Sequence, residues 1–189
     1  MPDQATWRGF FTPSDTLCKL GLTSSYRDVL DMGCGYGTFA VPAARICAGT
    51  VYAIDVEDDM VEATRTAAQD AGLSNVVVRR RDFITEGSGL PDASVDYVML
   101  FNILHAEDPH VLLDEARRVL SPSGMLGAMH WNYDPATPRG PSMEIRPRPE
   151  RIRAWAEEAG FQVIPPGKVD LPAYHYGFAF RVGASAGVD

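Results

Sequence analysis

The chain has 189 residues, 46% of them hydrophobic, and a formal net charge of −8 at pH 7. That length and apolar content predict one globular domain with a substantial core, spanning residues 1–189, and exclude a disordered chain. The acidic balance works against a surface that tracks a phosphate backbone, which needs clustered Lys and Arg, so a nucleic-acid partner is disfavoured.

In chain order, the first eleven residues carry no pattern and are expected to be flexible. "TPSDTLCKLGL" then predicts a short helix with Thr12 or Ser14 as cap and Pro13 in its first turn. Strand and helix alternate from there: "RDVLDM", "TFAVPAARICA", "TVYAIDV", "EDDMVEATRTAAQDAG", "NVVVRRRDF", the loop "ITEGSGLPDAS", "VDYVMLFN", "PHVLLDEARRVLSPSG" and "MLGAMHW". This order predicts an α/β fold, a doubly wound and mostly parallel sheet with helices on both faces.

Residues 132–149 are rich in proline and arginine and are expected to form an ordered, lid-like loop. A helix "ERIRAWAEEAGF" and two strands, "FQVIPPGKVDL" and "YHYGFAFRV", follow, the strands as an antiparallel pair, giving seven in all. The tail 183–189 is expected to fray. The three cysteines lack paired spacing, which argues for small packing residues in a reducing cytosol and against a disulfide framework or zinc site. No apolar run reaches membrane-spanning length, so a cytoplasmic protein is expected, and a homo-oligomer is compatible with the sequence.

The most informative stretch is "DVLDMGCGYGTFA", where a strand runs into Gly33, Gly35 and Gly37 before a helix. Such a turn brings backbone N–H groups close to a ligand. The G-x-G-x-G spacing differs from the G-x-G-x-x-G of dinucleotide sites, because Thr38 stands where the third glycine would fall. Asp31, Asp55, Asp82 and Asn102 fall at the ends of four successive strands, on the carboxyl edge where open α/β sheets bind ligands.

Together with "FFTPSDTLCKLGL" and "RRVLSPSGMLG", these motifs resemble those of class I S-adenosylmethionine-dependent methyltransferases over nearly the whole chain. The resemblance implies an antiparallel seventh strand beside the fifth and S-adenosyl-L-methionine as cofactor. It further implies that Asp31 and the loop Gly33, Cys34, Gly35 and Gly37 hold the methionine part. Asp55, with Val56 beside it, would take the ribose, Asp82 and Phe83 the adenine, and Asn102 would border the transferable methyl.

The acceptor is less legible. "FNILH" replaces the N/D-P-P-Y/F of amino methyltransferases acting on nucleic-acid bases or glutamine, which favours a small molecule. Three of the four histidines, His105, His130 and His175, are expected to converge on the carboxyl edge as candidate bases, without ligand-type spacing for a metal. Trp131, Tyr133, Tyr176, Arg139 and Arg146 are the candidate acceptor-binding residues, the arginines because a guanidinium suits a carboxylate or phosphate. Two alternatives stand beside a small-molecule enzyme: a nucleic-acid or protein methyltransferase working with a partner, and a cofactor-binding sensor or scaffold without catalysis.

Overall fold

The computed structural model describes residues 3–183. Its elements are α1 (Gln4–Arg8), α2 (Pro13–Lys19), β1 (Val29–Met32), α3 (Ala40–Ile46), β2 (Val51–Asp55), α4 (Asp58–Asp70), β3 (Val76–Arg80) and β4 (Val95–Phe101). They continue with α5 (Pro109–Val119), β5 (Leu120–Trp131), α6 (Pro149–Glu158), β6 (Phe161–Val163), β7 (Val169–Leu171) and β8 (His175–Val182). The strands form one sheet in the order β3-β2-β1-β4-β5-β8-β6, with β7 also paired to β8.

The five central strands are parallel, and β8 returns antiparallel beside β5, with Trp131 opposite His175 and His130 opposite Tyr176. The strand expected over "FQVIPPGKVDL" is interrupted: β6 and β7 pair with opposite ends of β8, and Pro165, Pro166 and Gly167 lie between them. Proline has no N–H for the ladder, so pairing breaks there. The helix expected to run through "SPSG" ends at Val119, and β5 begins at Leu120.

Buried parallel strands need apolar residues on both faces, and β4 shows why its sequence is continuously hydrophobic. Val98 and Leu100 join a core with α5 and α6 that includes Leu112, Ala116, Ile152 and Ala156. Tyr97, Met99 and Phe101 enter the opposite core with α2 and α3, among Leu17, Leu20, Ala40 and Ala43. The chain winds outward from β1 through β2 to β3 and then restarts at β4 on the other side of β1. The strand order therefore reverses between β1 and β4, which opens a crevice above their carboxyl ends.

Of residues 1–11, expected to be flexible, 3–11 are described. Residues 4–8 are helical, Phe11 is buried, and Phe11 packs its ring on Phe39 and His175. Burial of aromatic surface joins this segment to the rest of the fold. At the other end Gly183 donates its N–H to the Gly160 carbonyl, and the rest of the tail lies outside the described residues. Among the cysteines, Cys34 and Cys47 are buried as expected, whereas Cys18 is exposed.

The two cores meet the sheet with little spare room. At Gly127 an added Cβ would overlap the buried Tyr97 hydroxyl, which donates to the Leu20 carbonyl at 2.8 Å. Gly127→Ala is therefore expected to lower unfolding stability by about 1–3 kcal/mol, the scale of core overpacking, read as a shifted urea midpoint with an unchanged slope. An unchanged midpoint would contradict this packing.

Candidate functional site

The glycine turn after β1 sits at the crevice. Gly33 and Gly37 hold φ of 76° and 72°, a region that penalises side chains. A Cβ on Gly33 would lie 3.0 Å from Ile103, and one on Gly37 would lie 3.3 Å from Thr64. Bonding within the loop differs from the expected N–H cradle. Gly33 and Cys34 donate to the Ile54 carbonyl, Gly37 donates to the Cys34 carbonyl, and Gly35 donates to the Asp55 carboxylate at 2.9 Å. Those four donors are already used, so the loop offers shape rather than an anion nest.

The charges at this edge point the same way. Asp31 is fully buried, one of its oxygens has no hydrogen-bond partner, and Ala40 donates to the carboxylate. Burial, and then the Asp55 charge, push Asp31 up to about 7. Asp55 is pinned by Gly35 on one oxygen and by the Glu57 N–H at 3.1 Å on the other. Two carboxylates at the ends of neighbouring strands favour a ligand with positive charge and hydroxyl donors over a pyrophosphate.

The other edge residues are placed as follows. Val56 is exposed, and its carbonyl accepts from Arg80. Asp82 accepts from the Ile84 and Thr85 N–H groups, which makes it the cap of the turn after β3, and hydrogen bonds with Thr85 lead in holding its carboxyl below the usual range. Phe83 is half-buried and faces the glycine turn, 3.8 Å from where a Gly33 Cβ would be. Asn102 has φ of 60°, a strained value for a residue with a side chain, and its amide oxygen and nitrogen are covered and unpartnered. Leaving such a pair unpaired costs about 1–3 kcal/mol per group unless a ligand completes it.

Beside Asn102 lies a cleft of about 530 Å³. Trp7, Trp131, Gly140 and Pro141 form its apolar walls, and Asn102, His105 and Arg139 supply its polar groups. Trp7, Gly140 and Pro141 were not singled out from the sequence; the aromatic density of "TWRGFF" was the available signal for the first. Thr64 was missed as well. It is buried on α4 and donates to the Gly35 carbonyl at 2.7 Å, locking the glycine turn from behind.

Of the three histidines, His105 alone lines the cleft. It is half-buried, and burial lowers it from the ordinary imidazole value. His130 is fully buried behind it, with ring nitrogens of the two 3.3 Å apart, and burial pulls His130 down to about 3. His175 pairs with Trp131, one residue along from His130, and alternation along the strands puts it on the other face of the sheet. There it packs between Trp131 and Phe11, with centroids 4.1 and 4.7 Å away, both ring nitrogens unpartnered and the imidazole pulled down to about 3 by burial. The expected convergence of three bases is corrected to one accessible imidazole backed by a buried neighbour.

The acceptor candidates also divide. Trp131 and Arg139 line the cleft. Tyr133 stacks under the Arg148 guanidinium at 3.8 Å, and Tyr176 is buried with its hydroxyl donating to the Pro147 carbonyl. Arg146, expected to meet substrate, is buried and donates to the backbone carbonyls of Asn132, Asp134, Arg139 and Pro141. Its guanidinium is consumed in shaping the 132–149 loop, which the sequence could not distinguish from a loop arginine facing outward.

Two outcomes follow. Arg146→Met is expected to lower the thermal midpoint, since four loop carbonyls lose a charged donor, and to open the loop to hydrogen exchange between residues 132 and 141; unaltered exchange there would contradict the role. For Asp31, a folded-state value raised above the ordinary 3.8 means that its contribution to stability is full at low pH and is lost as pH rises to about 7. Asp31→Asn is therefore expected to gain stability relative to the parent between pH 4 and pH 7 in urea titrations. A parallel pair of pH profiles would contradict the burial argument.

Residues 29–124 match the methyltransferase-domain family. The chain is 30% identical over 172 residues to aklanonic acid methyltransferase DauC of Streptomyces sp. (strain C5), covering 79% of this chain and 77% of that one. It is 38% identical over 104 residues to nocamycin O-methyltransferase of Saccharothrix syringae, covering 53% of this chain and 36% of that one. It is also 34% identical over 89 residues to ribosomal protein L11 methyltransferase of Thermoanaerobacter pseudethanolicus, covering 46% of this chain and 29% of that one. The chain thus spans about a third of the length of several curated relatives it matches. A SAM-dependent methyltransferase from Aquifex aeolicus has the same architecture, with a TM-score of 0.82, 27% identity, and coverage of 95% of this chain and 94% of that one. The unpartnered Asp31 oxygen, the Asp55 carboxylate and the glycine turn fit S-adenosylmethionine, which carries an ammonium, a sulfonium and a ribose diol and no phosphate. Fold, site and relatives agree: the chain belongs to the class I S-adenosylmethionine-dependent methyltransferases.

Proposed function

We propose that this chain transfers a methyl group to a small-molecule acceptor seated in the cleft beside Asn102. The observation that carries the reading is the placement of this open, largely apolar cleft at the end of β4, on the same sheet edge as the glycine turn and Asp55. When bound, the cofactor supplies an electrophilic methyl on a sulfonium, so the leaving group needs no protonation and the protein's work is alignment. Asp31 pairs with the ammonium, Asp55 accepts from the ribose hydroxyls, Asp82 and Phe83 flank the base, and Asn102 completes the polar lining between cofactor and acceptor.

His105 is the group that takes a proton from an acidic acceptor hydroxyl. Its lowered value keeps the ring neutral near pH 7 and so able to accept. Trp7, Trp131 and Pro141 give the acceptor apolar surface to pack against. The relatives named for aklanonic acid and nocamycin support a small acceptor, and the net charge of −8 weighs against nucleic acid. A protein acceptor is the second reading, favoured by the L11 methyltransferase relatives.

Asp55→Ala is expected to weaken S-adenosylhomocysteine binding by roughly 1–3 kcal/mol in calorimetry, through loss of charge-assisted hydrogen bonds. Because Asp55 also pins the Gly35 N–H, Asp55→Asn serves as the variant that keeps an acceptor at that position, and it should lie between the two. Equal affinity in all three proteins would remove the ribose assignment. With methyl-labelled cofactor and fractionated cell extract, label is expected in the small-molecule fraction; label confined to macromolecules would establish the second reading instead.

A further inference from the structure

The cleft's lining narrows the acceptor beyond its size. Trp7 and Trp131 meet with ring centroids 6.1 Å apart and planes at 64°, and Phe10 braces Trp131 from 5.4 Å. Rigid aromatic walls that hold one another in place favour a flat ring over a flexible chain, because a ring loses little conformational freedom on entering. The loop backbone closes against the same indole: a Cβ on Gly140 would lie 2.9 Å from Trp131 and 2.9 Å from the Arg146 guanidinium.

Charge supplies the second constraint. Arg139 is the one charged residue among those lining the cleft, and no carboxylate lines it, in a chain whose net charge is −8. Arg139 is exposed and makes no ion pair among the described residues, while its own carbonyl is fixed by Arg146 at 3.2 Å. The guanidinium therefore starts from an anchored backbone, and the buried Arg146 cation beneath Gly140 adds to the positive potential of that wall. One free guanidinium fork matches a carboxylate in two parallel hydrogen bonds, whereas a phosphate dianion would call for more donors than this wall presents. The covered Asn102 amide, with one donor side and one acceptor side unused, suits a hydroxyl or carbonyl on the same ring.

From this juxtaposition of paired indoles, an unpaired anchored arginine and an unsatisfied amide, we infer that the acceptor is a planar aromatic acid bearing a hydroxyl or carbonyl group. The inference rests on the small-molecule reading of the cleft. Its test uses protein saturated with S-adenosylhomocysteine and three calorimetric probes: 6-hydroxy-2-naphthoate, 2-naphthol and cyclohexanecarboxylate. The hydroxynaphthoate is expected to bind about tenfold tighter than 2-naphthol, the scale of one bidentate charge-assisted contact, and tighter than cyclohexanecarboxylate, which lacks the flat ring and the hydroxyl. Arg139→Gln should erase its advantage over naphthol, and Trp7→Ala should weaken both aromatic probes alike, each with unchanged affinity for S-adenosylhomocysteine. Equal binding of naphthol and hydroxynaphthoate, or an Arg139→Gln variant that keeps the difference, would overturn the acid while leaving a small acceptor in place. Absence of binding by all three probes to loaded protein would overturn the aromatic acid altogether. Failure to load with S-adenosylhomocysteine would count against the cofactor site itself, and the inference would fall with it.

Discussion

The Asp55 carboxylate ties the edge of the sheet together: one oxygen accepts from the Gly35 N–H and the other from Glu57. That pair of bonds fixes the glycine turn after β1 to the end of β2, and Thr64 locks the same turn from α4. With the N–H groups of Gly33, Cys34, Gly35 and Gly37 spent internally, the turn forms a fixed floor. The polar atoms left without partners at this edge include an oxygen of the buried Asp31 and the Asn102 amide across the crevice. Electrostatics at this floor are negative, which separates a sulfonium and ammonium cofactor from a pyrophosphate one by charge as well as by glycine spacing.

A second level of organisation sits above that floor and is built largely from backbone acceptors and aromatic rings. Arg146 gathers the carbonyls of Asn132, Asp134, Arg139 and Pro141, and Tyr176 reaches the Pro147 carbonyl, so the 132–149 loop is held from beneath. Trp7, Phe10 and Phe11 close the opposite side by packing on Trp131 and His175. The scaffold with the glycine turn lies within the family-matched residues 29–124, while the walls of the Asn102 cleft draw on two segments outside them. Sites grafted in this way let one fold serve many acceptors.

What could be read from the sequence follows the same division. Asp31, Asp55, Asp82 and Asn102 were legible because strand ends, hydrophobic runs and glycine spacing are local signals, and parallel α/β topology places those ends on one edge. His130 and His175 were misplaced because they lie near the edge in sequence, whereas exposure depends on strand parity: adjacent register positions point to opposite faces. Arg146 and Tyr176 were read as substrate groups because a polar tip near a site looks the same in sequence whether it meets a ligand or a buried carbonyl. The N-terminal segment looked patternless because a five-residue helix has no periodicity to show, although its aromatic residues find partners far along the chain.

In the proposed function, the crevice between β1 and β4 takes the cofactor with its ribose on Asp55 and its transferable group facing the Asn102 cleft. A crystal structure of the protein with S-adenosylhomocysteine tests this most directly. Both ribose hydroxyls are expected within hydrogen-bond distance of Asp55, with the ligand amine on Asp31 and the sulfur opening toward His105 and Trp131. A ligand bound away from this edge, or one whose ribose leaves Asp55 paired only with Gly35 and Glu57, would contradict it.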